Sequence, residues 1–230
     1  MIIAIHQPQY IPWIGYFHKL DQSDVFVLLD NVQYKKNEWQ NRNRIKTSHG
    51  WQWLTVPMNH RFPQMISEVR INNRVRWRQK HLHAVQTNYG KATFFKDYFP
   101  VLQEIWSQKW ELLSPLNIHI IKRMAELLGI DTKLYVASDL GKDFAFEPNR
   151  RLIEICNHFG AEVYLSGQGG KGYLDMELFG KEGIEVLIQE INHPNYQQLY
   201  GEFQPNLSII DLLFNCGSEA INLIRGKKGE

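Results

Sequence analysis

The sequence lacks the short motifs that identify the common catalytic classes. It contains no G-x-S-x-G nucleophile motif, no H-E-x-x-H or H-x-x-H metal motif and no C-x-x-C pair. The two cysteines, Cys156 and Cys216, lie in the apolar stretches IEICNHF and LLFNCG, which predicts buried thiols in a reducing cytoplasm. An enzyme with this sequence would therefore act by positioning two substrates and polarising one of them.

Long apolar runs and a strong net charge are also missing. The apolar start MIIAI is interrupted by His6 and Pro8, and no run reaches the roughly 18 residues of a membrane span. We therefore expect neither a signal peptide nor a membrane segment. The 26 Lys and Arg against 24 Asp and Glu residues leave a formal charge of +2. So small a charge recruits neither nucleic acid nor an anionic membrane, and any anion binding must be local.

Apolar strands that alternate with short helices predict an α/β fold. The first 30 residues comprise strand, helix and strand in IIAIHQ, PWIGYFHKL and DVFVLLD. From Thr132 the alternation returns in KLYVAS, PNRRLIEICNHF, EVYLSG, YLDMELF and EVLIQE. This pattern favours a doubly wound, mostly parallel, Rossmann-like sheet, with residues 1–230 forming a single α/β domain.

The middle of the chain, residues 72–130, predicts a helical insertion or subdomain. Helices are expected over 77–89 and 94–110, followed by a helix with Ser114 as N-cap, Pro115 at its first position and Gly129 as its stop. WLTVPM and SEVRI before this region are weaker strands. Near the C-terminus, the S-x-x-D spacing of Ser208 and Asp211 predicts a capping box, and the tail RGKKGE predicts a solvated end.

Ligands of open α/β sheets bind outside the carboxyl ends of the strands. The residues that follow the predicted strands are therefore the candidates for ligand binding. The polar residues that follow the predicted strands are His6, Gln7, Asp30, Asn31, Ser138, Asp139, Ser166, Gly167, Asn192 and His193. We expect these groups to converge on one edge. At the end of the first strand, His6 could equally be a structural hydrogen-bonding group or a functional one.

Two further segments carry ligand-binding chemistry. The loop SGQGGKGYLD, residues 166–175, predicts phosphate binding through backbone N–H groups, but a turn that needs glycine for steric reasons would explain it equally well. The segment DNVQYKKNEWQNRNRIKT, residues 30–47, interleaves basic, aromatic and amide side chains. That mixture is typical of sugar or nucleotide recognition, with a solvated basic loop as the alternative.

The candidate catalytic bases are His6, Asp30 and His193. The candidate substrate-binding residues are Gln7, Gln9, Tyr10, Trp13, Gly15, Tyr16, Asn31, Gln33, Tyr34, Trp39, Asn41, Arg42, Asn43, Lys46, Ser166, Gly167, Gly169, Gly170 and Tyr173. The residues indicate no metal site and identify no cofactor.

Six motifs together resemble the WbqC-like protein family: HQPQYIPWIGYFHKL, SDVFVLLDNVQY, NRNRIK, WLTVP, YLSGQGGKGYL and LSIIDLLFNCG. The resemblance covers nearly the whole chain. It implies a bacterial protein that decorates an activated sugar for O-antigen or another surface polysaccharide. The implied reaction is N-acylation or glycyl transfer to the amine of a nucleotide-linked 4-amino-4,6-dideoxyhexose.

A second resemblance is to class I synthetases and related nucleotidyltransferases, which carry H-x-G-H in their first turn. The corresponding residues here are Trp13-Ile14-Gly15-Tyr16, which keep the glycine but lack both histidines. Nucleotidyl transfer or adenylate formation is thus an alternative, and a nucleotide- or RNA-binding module without catalysis is another. The acyl donor stays open among a thioester, an aminoacyl-tRNA and an amino acid activated by ATP, and the aromatic-rich middle region leaves room for a homodimer contact.

Overall fold

A parallel sheet of five strands between two layers of helices forms the centre of the fold. The computed structural model describes residues 1–226, so residues 227–230 of the expected solvated tail lie outside the described residues. In chain order the elements are β1 (Ile2–His6), α1 (Ile14–Asp21), β2 (Val25–Leu28), β3 (Arg42–Thr47), β4 (Gly50–Thr55), β5 (Met58–Asn59), β6 (Arg70–Ile71), α2 (Trp77–Tyr89), α3 (Phe95–Ser107), α4 (Leu113–Leu128), β7 (Lys133–Val136), α5 (Pro148–Phe159), β8 (Val163–Ser166), α6 (Met176–Lys181), β9 (Glu185–Ile188), α7 (Ile209–Cys216) and α8 (Ala220–Ile224).

The strand order of the central sheet is β7-β2-β1-β8-β9, and every neighbouring pair is parallel. The predicted doubly wound α/β fold is therefore confirmed. Ala4 and Phe26 pack into the apolar core on one face, whereas Ile3, Ile5 and Val27 pack on the other. Burial on both faces explains why the strand sequences are almost uninterrupted apolar runs.

The predicted helices of the middle region are present as α2, α3 and α4. The N-cap prediction for α4 is wrong, because the helix already begins at Leu113 and Ser114 lies inside its first turn. Ser114 Oγ instead donates to Asp30 Oδ2 at 2.9 Å. Gly129 ends the helix in the left-handed conformation, as predicted. That residues 72–130 form a unit of their own stays a prediction.

The second half of the basic segment is a strand that the sequence analysis did not predict. β3 pairs antiparallel with β4 across a turn at Ser48 and His49. One face of this hairpin carries Asn43, Ile45 and Leu54, which are buried against the core. The weaker strands predicted from WLTVPM and SEVRI are each represented in part, since β5 and β6 pair over only two residues.

A buried carboxylate connects α7 with α2 and the segment after β9. Asp211 is fully buried and accepts hydrogen bonds from Tyr89 Oη, Tyr196 Oη and Gln198 Nε2, each at 2.8 Å. The predicted capping box is therefore only half correct. Ser208 caps α7 by accepting from the Ile210 N–H, but the Asp211 side chain points inward.

Lys46 extends this network to the hairpin. Its Nζ donates to Gln198 Oε1 at 3.0 Å and to the Glu202 carbonyl at 2.6 Å. Burial is the main cause that raises the pKa of Asp211, and the hydrogen bonds together with the Lys46 charge act in the opposite direction. The network thereby fixes an irregular segment, residues 189–207, against β3 and α7.

The free thiols differ in their burial. Cys156 is fully buried in α5, as predicted, whereas Cys216 at the end of α7 is only half-buried. Among residues 1–226, no helix combines the length and the apolar character that crossing a membrane requires.

Replacing Asp211 with Ala should lower the free energy of unfolding by roughly 3 to 5 kcal/mol, because two tyrosine hydroxyls and an amide lose their buried hydrogen-bond acceptor. Urea denaturation followed by tryptophan fluorescence measures this loss. The exposed Asp143→Ala serves as the control and should change stability by less than about 0.5 kcal/mol. A loss below about 1 kcal/mol for Asp211→Ala would show that the network is not a structural anchor.

Candidate functional site

The polar residues predicted at the strand ends lie along one edge of the sheet. His6 ends β1, Asp30 follows β2, Ser138 follows β7 and Ser166 ends β8. After β1 the chain adds β2 and β7 on one side of β1. It then adds β8 and β9 on the other side. The crevice between the loops after β1 and β8 is therefore the topological switch point, where ligands of open α/β sheets bind.

His6 and Gln9, at the end of β1 and in the loop that follows it, have polar atoms without a hydrogen-bond partner. The His6 ring packs on Tyr16, with ring centroids 4.9 Å apart. The Gln9 amide nitrogen lies 3.4 Å from His6 Nε2. His6 Nδ1 and Gln9 Oε1 are buried and have no hydrogen-bond partner in the part of the chain that the structure describes. Because unpaired buried polar atoms cost free energy, this pair is suited to the polar groups of a ligand.

Lys19 is a buried cation close to His6 that the sequence analysis did not single out. The residue is 2% exposed, its Nζ donates to the Ile5 carbonyl at 3.4 Å, and it makes no ion pair among residues 1–226. Burial lowers the pKa of Lys19 to about 7. Burial, and then the charge of Lys19, lower the pKa of His6 well below its ordinary value, so the imidazole is neutral at pH 7.

The outward side of the β3–β4 hairpin carries arginines interleaved with tryptophans. We call this surface the Arg–Trp face; it consists of Trp39, Arg42, Arg44, Trp51 and Trp53. The Arg42 guanidinium lies 4.1 Å from the centroid of the Trp53 ring, and that of Arg44 lies 5.1 Å from Trp51 and 5.7 Å from Trp39. Trp39 is 37% exposed and Trp51 42% exposed. Large aromatic rings so exposed mark a surface that binds something.

Only Trp39 and Arg42 of this face were predicted as site residues. The signal for the others was present in the sequence, because RNR and WQW repeat one residue type at period two. That period places the repeated side chains on the same face of a strand.

The Arg–Trp face lies beside the loop that follows β1. The Tyr10 N–H donates to the Trp39 carbonyl at 3.0 Å, and Gln40 Nε2 donates to Gln7 Oε1 at 2.6 Å. Gln7 directly follows His6, and Gln40 directly follows Trp39. The segment that carries Trp39 of the Arg–Trp face therefore packs against the loop that contains Gln7, Gln9 and Tyr10.

Three of the aromatic residues predicted to bind substrate lie in the core and present no ring face to a ligand. Tyr10 is fully buried with its hydroxyl 2.8 Å from His81 Nδ1, and the hydroxyl of buried Tyr16 donates to the Gln7 carbonyl. Burial raises the pKa of Tyr34 to about 12, although the charge of Arg42 acts to lower it. These buried rings stabilise the core beneath the site, because apolar surface stabilises the fold when it is removed from water.

Trp13 and Gly15 support each other at the start of α1. Trp13 is half-buried, and a methyl group at Gly15 would overlap the Trp13 ring. The glycine therefore makes room for the protein's own indole, which corrects the expectation that it allows close approach of a ligand. Gln189, at the end of β9, donates to the Gly15 carbonyl at 2.8 Å and completes this packing.

Most amides of the basic segment are used inside the protein. Asn41 Nδ2 donates to the Val56 carbonyl and Asn43 Nδ2 to the Ile11 carbonyl, so both hold the hairpin in place. Asn31 and Gln33 line a separate depression near Arg151. The structure therefore does not bring these predicted substrate-binding amides together in one place.

Two of the three candidate bases have their polar atoms engaged. His193 Nδ1 donates to the Pro194 carbonyl at 2.9 Å, and His193 Nε2 accepts from the Asn206 N–H at 3.1 Å. Asp30 accepts three hydrogen bonds, one from Ser114 Oγ and two from Ser138. His6 alone of the three keeps an unpaired buried atom. Among residues 1–226, no three His, Cys, Asp or Glu side chains could hold a metal ion together.

The glycine-rich loop after β8 forms a 3₁₀ turn over Gln168–Gly172. Position 170 requires glycine for a steric reason, because a methyl group there would overlap Ser166 Oγ. A methyl group at Gly167 or Gly169 would meet nothing within 4 Å, so their backbone is open on that side. Tyr173 at the end of the turn is exposed. Phosphate binding by this loop stays a prediction.

Comparisons with known proteins agree with one another. The model of a family described as the WbqC-like protein family matches residues 7–223 of the chain. A Mycobacterium tuberculosis protein named "Uncharacterized protein Rv1507c" is 38% identical over 227 residues, with 97% of each chain covered. No solved structure matches the chain.

Lys19→Met should stabilise the protein, because burial of the ammonium group costs free energy that the thioether does not require. The gain should be largest at and below pH 7, up to roughly 5 kcal/mol. It should shrink as pH rises from about 7 toward 10.5, since the folded protein then loses the Lys19 proton before the unfolded chain does. Urea denaturation of both proteins at pH 6, 8 and 9.5 measures the difference. A gain that does not change with pH would contradict a lowered pKa.

Proposed function

The chain belongs to the WbqC-like protein family, and we propose that it is a transferase that modifies a nucleotide-linked amino sugar. The modification is N-acylation or glycyl transfer to the amine of a 4-amino-4,6-dideoxyhexose used in O-antigen or another bacterial surface polysaccharide. The proposal is carried by one observation: the segment that carries Trp39 of the Arg–Trp face packs against the loop that follows His6 and contains Gln9.

The Arg–Trp face has the groups that a nucleoside diphosphate needs. Arg42 and Arg44 make no ion pair among residues 1–226, and the Nε of each is buried without a hydrogen-bond partner. Guanidinium groups pair with phosphate oxygens in a fork geometry, and exposed indoles stack on a base. In the proposed complex the diphosphate lies on Arg42 and Arg44, and the sugar extends toward His6.

His6 is the proposed general base. Its lowered pKa keeps the imidazole in the neutral form at pH 7, with a ring nitrogen that can accept a proton, and makes it a weaker base than an exposed histidine. In the proposed step the sugar nitrogen attacks the acyl carbon, a C–N bond forms, and the bond from that carbon to the donor's leaving group breaks. The amine proton passes to the imidazole. Gln9 holds the sugar through its free carbonyl oxygen.

Nucleotidyl transfer is the competing reaction for this fold. It would need groups that stabilise a transferring phosphate in the first turn, where this chain has Trp13-Ile14-Gly15-Tyr16 and the indole fills the space beside the glycine. Pyrophosphate release from a nucleoside triphosphate with magnesium would favour it. A module that binds RNA without catalysis would instead show affinity that falls steeply with salt.

A thermal-shift titration tests recognition of the nucleotide sugar. At 100 times its dissociation constant, a nucleotide-linked amino sugar should stabilise the protein by about 2.7 kcal/mol, and the free nucleotide should need a higher concentration. Arg42→Gln and Arg44→Gln should each weaken binding by about tenfold or more. The exposed Lys36→Gln is the matched control and should bind normally. If the wild type, the two arginine variants and the Lys36→Gln control bind equally well, the nucleotide does not bind at the Arg–Trp face.

His6→Ala should lower kcat/KM for sugar acylation by a factor of about 100 to 10,000, because general-base catalysis is lost. The affinity for the nucleotide sugar should change far less. His158→Ala is the control, since this exposed histidine lies near the end of α5 that is remote from the crevice. Full activity of His6→Ala in product analysis by mass spectrometry would exclude the proposed base.

A further inference from the structure

A separate cavity of about 440 Å³ lies at the carboxyl ends of β2 and β7, beside α4. Its floor is Asp30, whose carboxylate is occupied by hydrogen bonds from Ser114 and Ser138. These bonds fix the turn after β7 against the start of α4. The cavity is thus built on a rigid floor, which favours binding because few groups must be ordered when a ligand enters.

The wall of the cavity combines an apolar ring with an unsatisfied imidazole. Trp110 and His119 lie against each other with ring centroids 5.1 Å apart, and both line the space. His119 Nε2 is buried and has no hydrogen-bond partner among the described residues. A ligand here would meet one apolar surface and at least one polar group that the protein itself leaves unpaired.

The rim of the cavity carries opposite charges on two elements. Lys122 extends from α4, and Asp139 lies in the turn after β7. Neither side chain forms an ion pair with the other or with any group in residues 1–226. Opposite charges that line one space without pairing are complementary to a ligand that carries both charges itself.

We propose that this cavity binds a free α-amino acid. The ammonium group of the ligand pairs with the Asp139 carboxylate, its carboxylate pairs with the Lys122 ammonium, and its remaining atoms pack near Trp110. A phosphorylated ligand fits less well, because Asp30 and Asp139 bring two negative charges against one lysine. The further role of the amino acid as the source of the transferred acyl group rests on the proposed function. The binding of the amino acid does not depend on it.

Isothermal titration calorimetry with the full chain and a panel of free amino acids tests the inference. At least one should bind, and its N-acetyl and amide forms should each bind about tenfold or more weakly, because each lacks one of the two charges. Lys122→Met and Asp139→Asn should produce losses of the same size. Lys133→Met and Asp143→Asn remove exposed charges outside the cavity and should bind like the wild type.

The outcomes separate this inference from the proposed function. Amino acid binding that survives Arg42→Gln and is lost in Lys122→Met supports the cavity, whatever the nucleotide-sugar titration gives. No binding by any amino acid at 10 mM, roughly the weakest affinity of use in a cell, overturns it. Equal binding of the free and N-acetylated ligands overturns the role of Asp139, and preference for an amino sugar over every amino acid overturns the ligand class.

Discussion

The rest of this structure depends on five parallel strands that are buried on both faces. Parallel neighbours need crossover connections, so each strand enters the sheet from the same end and leaves it at the same edge. That edge collects His6, Asp30, Ser138 and Ser166 from distant parts of the sequence. Helices cover both faces, and the strand ends are left as the place where polar side chains can meet a ligand without disturbing the core.

The buried polar groups of this fold differ in how completely they are hydrogen-bonded. Asp211 and Asp30 are buried carboxylates, but each accepts three hydrogen bonds and so holds elements together. His6 and Gln9, also largely enclosed, keep atoms without partners. Unpaired buried atoms also occur in supporting residues, such as Tyr34 Oη and Asn41 Oδ1, so it is the position of His6 and Gln9 at the end of β1 that makes them candidates. The buried ammonium of Lys19, which donates to the Ile5 carbonyl and forms no ion pair among residues 1–226, belongs to the same part of the molecule.

Sequence reasoning succeeded where a local pattern controls the structure and failed where a side chain's direction depends on distant contacts. The bounds of α5 follow directly from its apolar periodicity and from the stop at Gly160. Ser114 looked like an N-cap but bonds to Asp30, which lies 84 residues earlier. Tyr10 and Tyr34 were predicted to bind substrate but are core residues, whereas Arg44, Trp51 and Trp53 of the Arg–Trp face were not predicted. The Lys19 site has no local signature, because a lysine on a helix ordinarily reaches water.

The amino-acid sequence by itself determined the α/β class, the order of the main strands and helices, and the strand ends at which polar groups occur. Apolar runs, helical periodicity and glycine stops act over a few residues, and they leave few alternatives for the local secondary structure. Only the tertiary structure decided which of those polar groups are paired, which aromatic rings face water, and that the Arg–Trp face lies beside the β1 loop. Those outcomes depend on contacts between segments that are tens of residues apart, where burial and hydrogen-bond satisfaction, rather than local preference, select the arrangement.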